Sequence, residues 1–218
     1  MSIWIKICGN TSLADGQMAV DAGADAVGFV FAPSPRRVTP EQVAAIVPSL
    51  PASIEKVGVF VDADFAAIAS AVEQCGLTGV QLHSETVNEL TTELRERFGP
   101  ALRILHVIHF GDDAARQMQS VSRDANIDGV LVDSRTATAV GGTGIAFDWK
   151  AARAAIFTGN GQLKLIAAGG LSPDNVAEAI TTLRPWGVDV VSGVESSPGL
   201  KNPAKILAFI RNARMTAM

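Results

Sequence analysis

Lys6-Ile7-Cys8-Gly9-Asn10 ends the first apolar run of the chain. Ile3, Trp4, Ile5 and Ile7 read as a short strand buried on both faces, because the hydrophobic positions continue without alternation. Gly9 cuts that strand off, and Asn10, Thr11 or Ser12 can cap the helical pattern that Leu13-Ala14-Asp15 opens. A thiol therefore sits at the carboxyl end of a buried strand, beside a helix start. In parallel α/β sheets that edge is where ligands bind.

The same strand-then-helix unit recurs along the chain. Further strands are predicted over 25–31, 56–61, 79–82, 102–108, 127–132, 163–168 and 188–191. Thr39-Pro40-Glu41-Gln42 carries Thr at N-cap, Pro at N1 and Gln at N3, a strong helix start. Ile68 and Val72 share one helical face, and Val87, Leu90, Leu94 and Phe98 form a single stripe. A weaker, more polar helix follows strand five. Phe147-Asp148-Trp149, Ser172-Pro173-Asp174-Asn175 and Asn202-Pro203 begin the last three helices, the final one carrying Ile206, Leu207 and Ile210. Eight such units of roughly 27 residues fit a closed (β/α)8 barrel better than an open sheet. No linker or charge block divides the chain, so one barrel domain over 1–218 is expected.

Composition narrows the function. The chain has 218 residues, 48% of them hydrophobic, enough for one substantial core. Its net charge of -4 gives no general attraction to nucleic acid or to an anionic membrane, so neither is expected as a partner. An anionic ligand must be held by local donors. No apolar run approaches the ~18 residues of a membrane span. Cys8 and Cys75 make no disulfide framework, and the start has no basic segment leading into an apolar one. A cytoplasmic protein is expected.

Several groups fall at the carboxyl rim. A Cys in an apolar strand is usually an inert small hydrophobe. At the strand end, a helix N-terminus or a cation could lower the Cys8 pKa from ~8.5 and let the thiolate take a proton from carbon. Asp133 ends strand six; it either caps a turn or, raised by apolar walls, serves as a general acid. A base on strand one and an acid on strand six would face each other across the mouth, which suits proton shuttling on a bound sugar. Gly141-Gly142-Thr143-Gly144, Gly169-Gly170 and Ser192-Gly193 follow the last three strands, where backbone N–H groups can hold a phosphate dianion. Arg37 offers a fork for a carboxylate, and Arg36 beside it leaves the choice between the two open. His83 reads equally as a mouth-facing group or a satisfied structural histidine. His106 and His109 lack the spacing and carboxylate company of a metal site, and Cys75 reads as structural.

With these residues in place, the chain resembles the phosphoribosylanthranilate isomerases of tryptophan biosynthesis. The resemblance lies in Lys6-Ile7-Cys8-Gly9, the run from Gly23 to Phe31, Ser34-Pro35-Arg36-Arg37, the run from Val57 to Val61, and Val80-Gln81-Leu82-His83. It continues through Gly141-Gly142-Thr143-Gly144, Phe147-Asp148-Trp149, Gly169-Gly170-Leu171 with Pro173 and Asn175, and the run from Val190 to Glu195. The resemblance implies an Amadori rearrangement of N-(5-phosphoribosyl)anthranilate, a small phosphosugar, without metal or organic cofactor. It implies Cys8 as the base for the C2 proton, Asp133 as the acid for the ring oxygen, and Arg37 as the holder of the anthranilate carboxylate. Gly142, Gly169, Gly170, Ser192 and Gly193 would bind the phosphate. Asn10 departs from the family's usual apolar residue and Ser84 from its common Gly. Histidine-pathway isomerases on the same barrel carry Asp where Cys8 stands, and a binding-only barrel would need neither base nor acid. A monomer is expected rather than a homodimer.

Overall fold

The computed structural model of the chain describes residues 3–83, 88–133, 148–157 and 163–217. Parallel pairing links β1 (Trp4–Ile7), β2 (Ala26–Val30), β3 (Glu55–Val61), β4 (Gly79–His83), β5 (Arg103–His109), β6 (Gly129–Asp133), β7 (Lys164–Ala167) and β8 (Gly187–Val190) in chain order. β8 then pairs with β1 and closes the barrel. Between and after them run α1 (Leu13–Asp21), α2 (Pro40–Ile46), α3 (Phe65–Cys75), α4 (Asn88–Phe98), α5 (Ala114–Val121), α6 (Trp149–Ala152), α7 (Val176–Leu183) and α8 (Pro203–Thr216). The expected (β/α)8 architecture is the observed one, with strand ends shifted by one or two residues.

Alternation within each strand serves two cores, which is why the strands read as unbroken apolar runs. Ile5, Ile7, Val27, Phe29, Val80 and Leu82 face the helix layer and pack with Ile68, Leu94, Ile206 and Phe209. Trp4, Ala26, Val57, Leu105, Leu131 and Ile166 fill the barrel interior with Trp186. Trp4 stacks on Trp186 at 5.2 Å, and Arg103 and Lys164 lie against the Trp186 ring at 5.4 and 4.8 Å, plugging the amino-terminal end of the barrel.

Local signals set the helix starts. Of the candidate caps for α1, Ser12 accepts from the Asp15 N–H; Thr39 and Gln42 form the full capping box; Asn202 accepts from the Lys205 N–H. Asn10 is fully buried instead, its Nδ2 donating to the Ile7 and Gly28 carbonyls at 2.8 and 3.1 Å and tying the end of β1 to β2. On α4, Leu94 is buried with Leu90 and Phe98 packed at its edge, while Val87 lies outside the described residues. Leu207 is exposed although Ile206 and Ile210 on the same helix are buried. A short hairpin, β9 (Glu195–Ser197) and β10 (Leu200–Lys201), intervenes between β8 and α8 and has no counterpart in the sequence reading. Among the described residues no helix is long and apolar enough to cross a membrane.

His106 lies on β5 between the inward-facing Leu105 and Val107 and is buried. Burial lowers its pKa to about 4, with Asp124 opposing and His109 assisting. The folded protein holds this imidazole neutral, whereas the unfolded chain protonates it near ~6.5. Its contribution is therefore present above that value and lost as pH falls through 4. Urea unfolding should lose ~3 kcal/mol from this group between pH 7 and pH 4. His106→Gln should flatten that part of the stability–pH curve.

Candidate active site

β1 delivers Lys6 and Cys8 to one face, because successive side chains on a strand alternate. Cys8 follows the last residue of β1 and is 3% exposed. Gly28 on the neighbouring β2 leaves room for it: a Cβ at that position would stand 2.5 Å from the Cys8 sulfur. Asp133 ends β6 and is the register partner of His109, which ends β5. His83 ends β4, its ring centroid 6.2 Å from that of His109. A thiol, a carboxyl group and two imidazoles thus share the carboxyl rim. Along that rim β7 and β8 separate Asp133 from Cys8, placing them across the mouth from one another.

The electrostatics are set below the rim. Lys6 is fully buried, with Nζ 2.6 Å from Asp189 Oδ1 and 2.9 Å from Gln81 Oε1. Lys6 and Asp189 are direct partners across the β1–β8 seam. Burial works against the ammonium, but Asp189 and then Cys8 outweigh it and raise its pKa. For Cys8 the balance falls the other way from the sequence expectation. Burial pushes the thiol up, and the pull of Lys6 and Lys201 does not overcome it. Solvent exclusion, a property of the closed barrel, wins over the nearby cations.

Above the thiol a second network locks the loop after β1. The buried Lys201 Nζ donates to the Cys8 carbonyl at 2.6 Å, to the Val191 carbonyl at 3.2 Å and to Glu195 Oε1 at 3.1 Å. Burial lowers the Lys201 pKa against the pull of Glu195. Glu195 also takes a two-pronged bond from Arg36, Nε at 2.8 Å and Nη2 at 2.7 Å. Burial disfavours the Glu195 carboxylate, yet Arg36 and Lys201 hold its pKa below the usual value. Gly9 adopts φ 74°, and a Cβ there would meet Arg36 Cδ at 2.9 Å, so guanidinium and loop are in close contact.

Of the two adjacent arginines, the structure brings Arg36 to the thiol loop, not Arg37. Arg37 is exposed and lines a separate cleft of roughly 290 Å³ with Phe31, Phe60, Val61 and Ala67. The turn in which the Arg37 N–H bonds the Ser34 carbonyl sends the neighbouring side chains in different directions. Glu195 engages only part of the Arg36 fork, leaving further N–H donors.

The glycines expected at the rim are brought together in part. Gly169 and Gly170 take φ of 75° and 65° after β7, and Asn175 fixes that loop by donating to the Gly170 carbonyl and accepting from the Ser172 N–H. Gly193 lies so close that a Cβ would be 1.9 Å from the Leu171 carbonyl oxygen, so the loops after β7 and β8 abut. Ser192 opens the single 3-10 turn over Ser192–Val194. Gly142, with its neighbours Gly141, Thr143 and Gly144, lies outside the described residues, as does Ser84. Among the described residues no group of His, Cys, Asp and Glu side chains converges as a metal site would require. The sequence reading missed Lys6, Gln81 and Asp189, although polar residues within otherwise apolar strands were a signal that they needed partners inside the barrel.

The family model described as N-(5'phosphoribosyl)anthranilate (PRA) isomerase matches residues 5–212. The chain is 42% identical over 213 residues to the N-(5'-phosphoribosyl)anthranilate isomerase of Geotalea uraniireducens, covering 96% of this chain and 98% of that one. It is 43% identical over 211 residues to the corresponding protein of Geobacter sulfurreducens, with 96% and 98% covered. The crystal structure of phosphoribosyl anthranilate isomerase from Thermotoga maritima superposes with a TM-score of 0.85 at 37% identity, covering 98% and 99%. A crystal structure of such an isomerase in complex with reduced 1-(o-carboxyphenylamino)-1-deoxyribulose 5-phosphate superposes with a TM-score of 0.81 at 34% identity, with the same coverage.

Removing one partner of the Lys6–Asp189 pair strands the other charge in the barrel. Lys6→Met or Asp189→Leu alone should cost ~3–5 kcal/mol in urea unfolding. The double variant should recover most of that loss, since it leaves no orphaned ion.

Proposed function

The chain belongs to the N-(5'-phosphoribosyl)anthranilate isomerase family and isomerises phosphoribosylanthranilate in tryptophan biosynthesis, and on that premise we propose that Cys8 and Asp133 carry its proton transfers. Asp133 protonates the furanose ring oxygen as the C1–O bond breaks, giving an open-chain Schiff base. Cys8, as thiolate, takes the proton from C2, and the electron pair moves into the C1–C2 bond to give an enolamine. That species becomes the ketose when the C2 hydroxyl loses its proton and C1 gains one. The supporting observation is the ammonium of Lys6 beside a buried thiol, at the same rim as Asp133. Burial makes the Cys8 thiolate a stronger base, and Lys6 offsets the negative charge it carries until it takes the proton.

The same reading gives the substrate its handles. The backbone N–H groups of Gly169, Gly170, Ser192 and Gly193, with Gly142, which follows β6 in the sequence, hold the phosphate without a lysine. The anthranilate carboxylate goes to the uncommitted donors of Arg36, whose guanidinium Glu195 keeps in place. Every group named comes from one chain, which supports a working monomer. A cytoplasmic setting keeps its two unpaired thiols, Cys8 and Cys75, reduced.

Turnover of freshly made phosphoribosylanthranilate, followed by its fluorescence loss, tests the assignment. Cys8→Ser and Asp133→Asn should each lose about 10²-fold or more in kcat while still binding product. Full activity of Cys8→Ser would place the base elsewhere. Arg36→Met should raise KM by about tenfold or more, whereas Arg37→Met should change it less than about threefold. The reverse pattern would return the carboxylate to Arg37.

A further inference from the structure

The hairpin after β8 reverses the ordinary order of burial. Leu200 is 56% exposed, whereas Lys201 beside it is only 2% exposed. The register shifts between these two residues, and Lys201 stands opposite Glu195 across the hairpin. An irregularity of this kind re-aims a side chain. Exposing a leucine and burying an ammonium both cost free energy, so the arrangement points to a task for Lys201.

The ammonium is fully used. Its three N–H donors meet three acceptors, the Cys8 carbonyl at 2.6 Å, the Val191 carbonyl at 3.2 Å and Glu195 Oε1 at 3.1 Å. With no donor left over, Lys201 does not reach substrate itself. Its acceptors belong to the three segments on which the proposed chemistry depends. Cys8 carries the base, Val191 precedes Ser192 and Gly193 of the phosphate loop, and Glu195 grips Arg36. The hairpin is anchored in turn: the Lys201 N–H donates to Asp15 Oδ1 at 3.1 Å, and Thr11 Oγ1 donates to the Gly199 carbonyl at 2.7 Å. An arginine fork is planar and a glutamine amide has two donors, so neither reproduces three bonds from one atom.

We propose that Lys201 is a positioning residue, holding the Cys8 base in fixed relation to both the phosphate anchor and the carboxylate anchor of the substrate. The proposal rests on the isomerase reading above, and it gives the hairpin its task. The C2 proton must meet the thiolate while both ends of the substrate are gripped. A small slip of the Cys8 loop therefore lowers the rate and leaves each anchor's own binding in place.

Turnover of phosphoribosylanthranilate by Lys201→Met tests this. Glu195 keeps Arg36 as its partner in that variant, so no buried ion is orphaned. Its kcat should fall about tenfold or more, while KM stays within about threefold. Lys201→Gln, which keeps two donors, should show a smaller loss of the same kind. The condensate of ribose 5-phosphate with aniline lacks the carboxylate and separates the two routes from Lys201. With it the wild type should show a raised KM, and Lys201→Met should keep its full kcat deficit, because the Cys8 carbonyl is held directly. A deficit that vanishes with this substrate makes Lys201 a support of Glu195 alone and overturns the proposal. So does a wild-type kcat in Lys201→Met, or a KM that rises as far as kcat falls. If Lys201→Met does not fold, Lys201→Gln is read by the same three criteria. Full activity of Cys8→Ser overturns the underlying assignment of the base instead, so the two failures are told apart.

Discussion

A lysine ammonium sealed inside a barrel cannot stand alone, and the partners of Lys6 organise much of this molecule. Its charge is satisfied by Asp189 on β8, Gln81 on β4 and the sulfur of Cys8 just past the end of its own strand. Buried ion pairs often contribute little net stability, because desolvation offsets their attraction. What this one supplies is specification. It joins the two strands whose pairing closes the barrel, fixes their register, and sets a positive charge beneath the one thiol at the rim. A hydrophobic filling of equal volume would keep the fold and lose the electrostatics.

Above that pair the rim is braced from the far end of the chain. Lys201 reaches from β10 to the Cys8 carbonyl, and Glu195 at the start of β9 holds both Lys201 and Arg36. The loop that presents the thiol is thereby fixed by β8, the hairpin and the loop after β2 together. One carboxylate serves two cations here, so the network keeps a net positive charge. The Cys8 loop and the Arg36 guanidinium are positioned through the same carboxylate, so their separation is not free to vary with side-chain rotation.

How much of this was legible in sequence follows from the range of each interaction. Strands and caps were readable because hydrophobic runs and Thr39-to-Gln42 spacing act within a few residues. The eight-fold recurrence then implied the barrel, and the barrel implied the rim. The Lys6–Asp189 contact spans 183 residues and could be suspected only from a lysine and an aspartate set in apolar strands. The direction of the Cys8 pKa was misread because proximity to cations is visible in sequence, while the desolvation that outweighs it exists only once the barrel closes. Residue type alone did not separate Arg36 from Arg37, and only the resemblance named Arg37, because adjacent residues in a turn diverge according to backbone angles that no pattern of residue types records.

Closure by the first and last strands also bears on how the chain is made. A ribosome releases β1 before the other seven strands and β8 after them, so until then the first strand lacks one of its two sheet neighbours and its counter-charge. Lys6 has no buried place to go until Asp189 has emerged. The nascent chain can assemble helices and adjacent strand pairs as it appears, but the ring itself is completed only after translation of the final units. That late, long-range step is of the kind that slows folding and leaves strand edges open to wrong partners.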